Sequence, residues 1–257
     1  MNAPPVPQTF PGRRWNIIAA AFLTLILAAF ALRAELLAVR FFDPDELEHL
    51  QASFLVSRGL VPHRDFFEHH SHLFHYLLLP LLLPSPGAET IFSARVIMFG
   101  LSALILLAAG RSARVLGPPG AALLAAAWLS LDFVFLSKTL EVRPDVPATL
   151  FLLLGLLCLL GRHGQVPPGG AGAGLAFSLA FLSTQKAVFP ILGLATGALF
   201  LRAKGGEGTR WTAWTKWINY GAAGGAFLVP LLAYHLYFLK LGVLSQLVRE
   251  NYLLHLS

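Results

Sequence analysis

Three short charged segments and two isolated cations hold the side chains able to do chemistry. Residues 43–46 read DPDE, and Asp45 and Glu46 are carboxylates suited to accepting a proton or positioning a hydroxyl. Residues 68–72 read EHHSH, with His63 before and His75 after. Glu68, His69 and their neighbours are donors a divalent metal such as zinc accepts, although their spacing matches no helical zinc motif. Residues 140–145, LEVRPD, set Glu141 and Asp145 around Arg143; Lys186 stands in a Gln185-Lys186 corner between apolar runs, and Arg95 lies at the edge of another. Acids beside cations suit removal of a proton from a nucleophile next to neutralisation of an anion.

Each feature also has a plain structural account. Asp43 is a good helix N-cap, Pro44 fits the first helical position, Glu46 stands third in a capping box and Gly59 closes the helix. Capping accounts for Asp43 and Glu46 but gives Asp45 no duty. Leu47, Leu50, Phe54 and Leu55 form one apolar face, as in a helix lying on a membrane. EHHSH suits a wet interfacial loop, RPD a capped turn with Pro144 starting the next helix, and Lys186 and Arg95 suit snorkelling cations.

The elements that position these residues are apolar. The chain has 257 residues, 56% hydrophobic and 12% charged, with a mean hydropathy of +0.67. These values exclude a soluble globular domain and indicate an all-α polytopic membrane protein, one membrane domain over 1–257. Residues 15–32, 115–138 (broken only by Asp132), 164–185 and 217–239 can each cross a bilayer core of about 30 Å. The shorter runs 96–110, 146–161 and 187–201 are counted with them, giving seven crossings. Residues 73–84 contain two prolines in 12 residues and are too short to span, so they form a second interfacial helix after the one begun at Pro44. The formal charge of +6 is scattered among short loops, which excludes a nucleic-acid partner. Cys158 is the single cysteine, so no internal disulfide forms. Arg13 and Arg14 precede an uncleaved first helix, and the glycine-rich 167–174 reads as an inner loop.

With the N-terminus (1–14) cytoplasmic, the inner segments carry nine basic residues (Arg13, Arg14, Arg111, Arg114, Arg162, Arg202, Lys204, Arg210, Lys216) against the single acid Glu207. This positive-inside pattern puts the charged loop 40–90, LEVRPD, the Lys186 corner and the segment 240–257 together on the outer side. There they suit a reaction between a lipid phosphate and a polar acceptor. A transporter or metal-handling protein is the alternative, with Asp132, Arg33, Glu35 and His235 as the ionisable residues within or near spans. A noncatalytic relic is the other.

The ordered set PDE (Pro44, Asp45, Glu46), GLVPHRDFFEHH (59–70), Arg95 in FSARV, RPD (Arg143, Asp145) and Lys186 in TQK resembles the GT-C membrane glycosyltransferases that use polyprenyl-phosphate sugars. The branch is that of the protein O-mannosyltransferases and the aminoarabinose transferase of lipid A, and the likeness runs over 15–257. It implies an inverting hexosyl- or pentosyltransferase of the cell envelope, in a bacterial inner membrane with its active site on the periplasmic side. The donor would be a polyprenyl-phosphate sugar, the acceptor a hydroxyl of a glycan, lipid or protein, and the surrounding partner membrane lipid. Asp45, with Glu46, would be the catalytic carboxylate. Lys186, Arg95, Arg143, Asp145, Glu68 and His69 would bind the lipid phosphate and substrate, with a divalent metal a further candidate. FEHH (67–70) stands where the aminoarabinose branch has FEKP, so a different donor is expected, and the chain is expected to be the N-terminal catalytic half of the family's longer architecture.

Overall fold

A computed structural model describes residues 12–83, 87–118, 120–160, 169–203 and 217–254. Among these every regular element is a helix, and the one β feature is an isolated bridge between Pro62 and Phe66. In chain order the α-helices are α1 (Gly12–Val39), α2 (Pro44–Ser57), α3 (Leu73–Leu82), α4 (Ala88–Leu116), α5 (Ala121–Leu131), α6 (Phe133–Lys138), α7 (Asp145–Leu160), α8 (Gly170–Ser183), α9 (Val188–Ala203), α10 (Trp217–Lys240) and α11 (Leu244–Val248). A 3-10 turn, Gln185–Ala187, joins α8 to α9, and a π turn, Arg249–Leu253, follows α11.

Three helices are long and apolar enough to cross a membrane: Trp15–Val39, Ala88–Leu116 and Gly221–Lys240. The shorter apolar helices α3, α5, α7 and α8 have 10–17 residues each. In α4, 39% of the most apolar window is buried, against 11% and 6% in the other two long helices, so α4 is the central post. It packs on α1, α5 and α7; α7 packs on α8, α8 on α10, and α2 packs on α3. Large apolar side chains such as Leu107, Trp128, Phe133 and Phe189 face outward, as lipid-facing residues do.

Element boundaries depart from the sequence expectation in three ways. The run 115–138 is two helices, because Asp132 takes extended backbone and its carboxylate accepts from the Phe135 N–H at 2.7 Å, capping α6. The second expected span grows from 96–110 to Ala88–Leu116, since charges at helix ends do not stop the backbone ladder. The expected loop 167–174 is helical from Gly170 onward; 167 and 168, the N-terminal 1–11, Arg162, Lys204, Glu207, Arg210, Lys216 and 255–257 lie outside the described residues.

The two short helices of the charged loop form as expected. Asp43 caps α2, accepting from the Asp45 N–H at 3.0 Å. Gly59, at φ 82°, ends it: the Gly59 N–H donates to Val56 O at 3.0 Å and that of Leu60 to Leu55 O at 3.2 Å. The buried face of α2 is not the leucine face, however. It comprises Glu46, His49, Leu50, Ala52 and Ser53, and Leu47 is exposed.

The α8–α10 contact depends on a missing side chain. A Cβ at Gly174 would lie 2.0 Å from the carbonyl oxygen of Ala223, whereas one at Gly224 would meet nothing within 4 Å. Gly174→Ala is expected to destabilise the chain by about 1–3 kcal/mol, and Gly224→Ala to be neutral or stabilising by up to about 1 kcal/mol through helix propensity. Thermal unfolding of both in one detergent checks this; equal melting temperatures would show that α8 and α10 do not pack at this point.

Candidate functional site

The chemistry-bearing segments meet at one end of the helices, and a buried ion pair draws them together. Arg95, near the start of α4, donates from Nε to Glu46 Oε1 at 2.8 Å and from Nη2 to Glu46 Oε2 at 2.6 Å. Its remaining N–H donors go to the carbonyls of Leu37 at 3.2 Å, Arg40 at 3.0 Å and Phe41 at 3.2 Å, where α1 ends. Every donor of the guanidinium is thereby used. Glu46 Oε1 also accepts from the Val142 N–H at 3.2 Å, which ties in the segment before α7. Both side chains are almost fully buried. Glu46 therefore does not turn back to close a capping box; the pull of Arg95 in a dry site outweighs the local N–H. Asp45 and Glu46 separate accordingly, one facing solvent and one facing the core.

A second charged group lies over this knot. Glu141, fully buried, accepts from Arg40, from Lys138 Nζ at 3.0 Å and from Arg143 Nη1 at 2.9 Å. Arg143 also holds Asp45, with Nη2 2.7 Å from Oδ2, and stands 3.7 Å from both Asp43 and Asp145. The side chain of Asp45 is 49% exposed. A cleft of about 340 Å³ is lined by the charged residues Lys138, Arg143, Asp132 and Asp145 together with Ile105, Val134, Phe135 and Val146. It is a largely apolar site with charged groups of both signs in its lining.

Arg33, fully buried in α1, stands next to that cleft. It donates to Ser102 Oγ at 2.8 Å and to Thr139, which also lines the cleft, and lies over the rings of Phe30, Phe99 and Phe135 at 4.9–5.4 Å. It has no carboxylate partner among the described residues, and its Nε and Nη1 make no hydrogen bond.

The histidines gather around His49 of α2. Glu68 Oε1 accepts from the His70 N–H at 2.8 Å and lies 3.0 Å from His70 Nδ1, while Oε2 lies 3.1 Å from His75 Nε2. Burial alone would raise the Glu68 carboxyl; the bonds from His70 and His75 outweigh it and hold the group far below the usual carboxylate range. Burial, reinforced by His70 and His75, pushes the His49 imidazole down to about 3. His72 reaches Tyr234 Oη of α10 at 2.5 Å. His63, the single non-glycine residue at positive φ (68°) among those described, pairs with Glu250 at 2.6 Å. The Asn251 side chain donates to His70 O at 3.3 Å, so the chain after α10 closes over the loop.

Lys186 is exposed in its 3-10 turn and forms no ion pair among the described residues, while adjacent Gln185 donates to His69 O at 3.0 Å. Of the expected site residues, Arg143 and Asp145 line the cleft, Asp45 is held beside it by Arg143, Glu68 and His69 join the histidine group, Lys186 borders that group, and Arg95 and Glu46 are interior. No protein-family model matches the chain, and neither a curated protein nor a solved structure matches it closely. The arrangement is therefore argued from its own chemistry. Sequence reasoning passed over Arg40, Lys138, Glu48 and His49. One signal was present: Glu46, His49 and Ser53 recur at helical spacing, marking a polar buried face of α2. The ionisable residues near spans have local duties as well: Asp132 caps α6, and His235 bonds Leu231 O at 2.7 Å and Tyr252 Oη at 3.2 Å.

Removing one partner of a buried pair leaves an uncompensated charge, so Arg95→Ala is expected to cost about 3–5 kcal/mol. Arg64→Ala, at an exposed pair with Asp65, is expected to leave the melting temperature nearly unchanged. Thermal unfolding compares the two. Similar losses would mean that the Arg95–Glu46 pair does not tie α1, α2 and α4 together.

Proposed function

We propose that the chain is a membrane glycosyltransferase moving a sugar from a polyprenyl-phosphate donor to an acceptor hydroxyl on the outer, periplasmic face, with inversion. The observation that carries the reading is the half-exposed carboxylate of Asp45, held by Arg143 beside a mainly apolar cleft whose lining also includes Lys138, Arg143, Asp132 and Asp145. Such a cleft suits an amphiphile whose phosphate meets Lys138 and Arg143 and whose chain lies along Phe135, Val134 and Ile105.

In this reading Asp45 accepts the proton of the acceptor hydroxyl as its oxygen bonds to the anomeric carbon. The bond from that carbon to the phosphate oxygen breaks, and the electron pair leaves with the lipid phosphate. Phosphate is already a good leaving group, so the cations act by neutralising its growing charge. Arg33, lacking an acid partner next to the cleft, adds to the positive potential there. Lys186, exposed and without an ion pair among the described residues, borders the histidine group and not this cleft, and in this reading it is a further donor-binding cation there. Glu46 and Arg95 act as positioning residues, since the N-terminus of α2 that carries Asp45 is held through them.

The full arrangement in this proposal has seven crossings, in which α5 with α6, α7, α8 and α9 join the three long helices. The N-terminus is cytoplasmic, in the inner membrane of a bacterium. The acceptor is a glycan, lipid or protein.

Native mass spectrometry of the chain in mild detergent is expected to show a copurifying polyprenyl phosphate or its glycosylated form, diminished in Lys186→Ala. With that lipid as donor, Asp45→Asn is expected to lower transfer by about 10²–10⁴-fold while the melting temperature holds. Full activity in Asp45→Asn removes the assignment of the base; a folded chain that retains no lipid removes the donor class. Ser57→Cys and Ser112→Cys in a Cys158→Ser background test the side of the membrane. The first is expected to react with an impermeant thiol reagent from outside and the second not, and the reverse pattern overturns the orientation.

A further inference from the structure

We propose that Glu48, Glu68, His69 and His70 form a binding site for one divalent first-row metal ion of the zinc type. Its assignment does not depend on the transfer reaction.

One ligand atom from each of the four side chains lies within 4.8 Å of the others. Nδ1 of His69 is 3.6 Å from Glu48 Oε1, Nδ1 of His70 is 3.8 Å from the same oxygen, and Nδ1 of His70 is 3.0 Å from Glu68 Oε1. A tetrahedral ion with bonds of about 2.0–2.1 Å has ligand-to-ligand edges of about 3.4 Å, so three of the separations already stand near the required length. Two neutral imidazoles with two carboxylates carry a charge that a divalent cation cancels. The mixed nitrogen and oxygen set without thiolate favours zinc and its neighbours over calcium or magnesium, which take oxygen alone.

The surroundings are those of a built site. Glu68 is buried and oriented from behind by His75, whose Nδ1 lies 3.3 Å from Ser53 Oγ; that hydroxyl in turn donates to His49 O at 2.6 Å. A chain of this kind is what fixes a metal-ligating carboxylate. Independently, His49 is 2% exposed, its Nδ1 has no hydrogen-bond partner, and its ring stands edge-on to that of His70 at 4.7 Å. The buried His49 ring thus packs directly against one of the ligand imidazoles.

Exposure rises from Glu68 (2%) through His70 (21%) and His69 (29%) to Glu48 (47%), which leaves an access path from solvent. Because Glu48 is on α2 and the other three are on the following loop, a bound ion clips that loop to the helix. Through the Gln185 bond to His69 O it also steadies the Lys186 corner.

The test is calorimetric titration of zinc ion into the full chain, purified in detergent and stripped by chelator dialysis, with cobalt substitution to read coordination by visible absorption. One equivalent is expected to bind, with release of protons from its ligands. Glu48→Gln and His69→Ala, both at partly exposed ligands that can change without loss of fold, are each expected to weaken binding by about tenfold or more. His235→Ala, on α10, is expected to leave it unchanged. Absence of stoichiometric uptake, or uptake unaltered in either ligand variant, overturns the site.

Discussion

The Arg95–Glu46 pair is the constraint on which the rest of the charged end depends. A guanidinium buried at a helix end has a large desolvation cost, and here it is offset by a bidentate carboxylate and three carbonyls that the close of α1 leaves without helical partners. The pair serves several elements at once. It ends α1, aims α2, anchors both to α4 and, through the Val142 N–H, sets the segment that delivers Arg143. Asp45 is one residue along from Glu46, so its position on the exposed side of α2 follows from its neighbour's position on the buried side.

Two chemically distinct faces result. On one, carboxylates and cations stand at a largely apolar cleft; on the other, imidazoles and two glutamates surround a buried polar core. Both draw on one side of α2, where Asp45 goes to the first and Glu48 and His49, three and four residues on, go to the second. α10 and the chain after it complete the second face, with Tyr234, Glu250 and Asn251 each bonding into the histidine loop. The strained backbone at His63 is held by that closure, since its imidazole is the group Glu250 grips.

Some of this was legible from residue order. The all-helical, membrane-type composition follows from the uncharged runs, and both short helices of the charged loop follow from Asp43, Gly59 and the prolines. Helix ends were misplaced where charge was taken as a boundary, as at Arg95 and Arg111, because a helix carries its end charges outward instead of stopping. The break at Asp132 went unread because a single acid in an apolar run looks like an interruption of sequence, not of backbone. In the candidate site, Glu46 and Arg95 were noticed as charges, but each was given a partner in solution or substrate when its partner was the other.

The sequence by itself determined the class of the chain, the short list of residues able to do chemistry and the local caps and turns, since these depend on composition and on neighbours within a few residues. Only the tertiary structure decided which charges are spent on one another and which remain open. That choice depends on contacts between residues as far apart as Glu46 and Arg95, Arg40 and Glu141, or His63 and Glu250. Such pairings depend on how helices pack. The Cβ-free approach of α8 to α10 and the knot at the end of α1 set that packing, and neither leaves a signal in a local window of sequence.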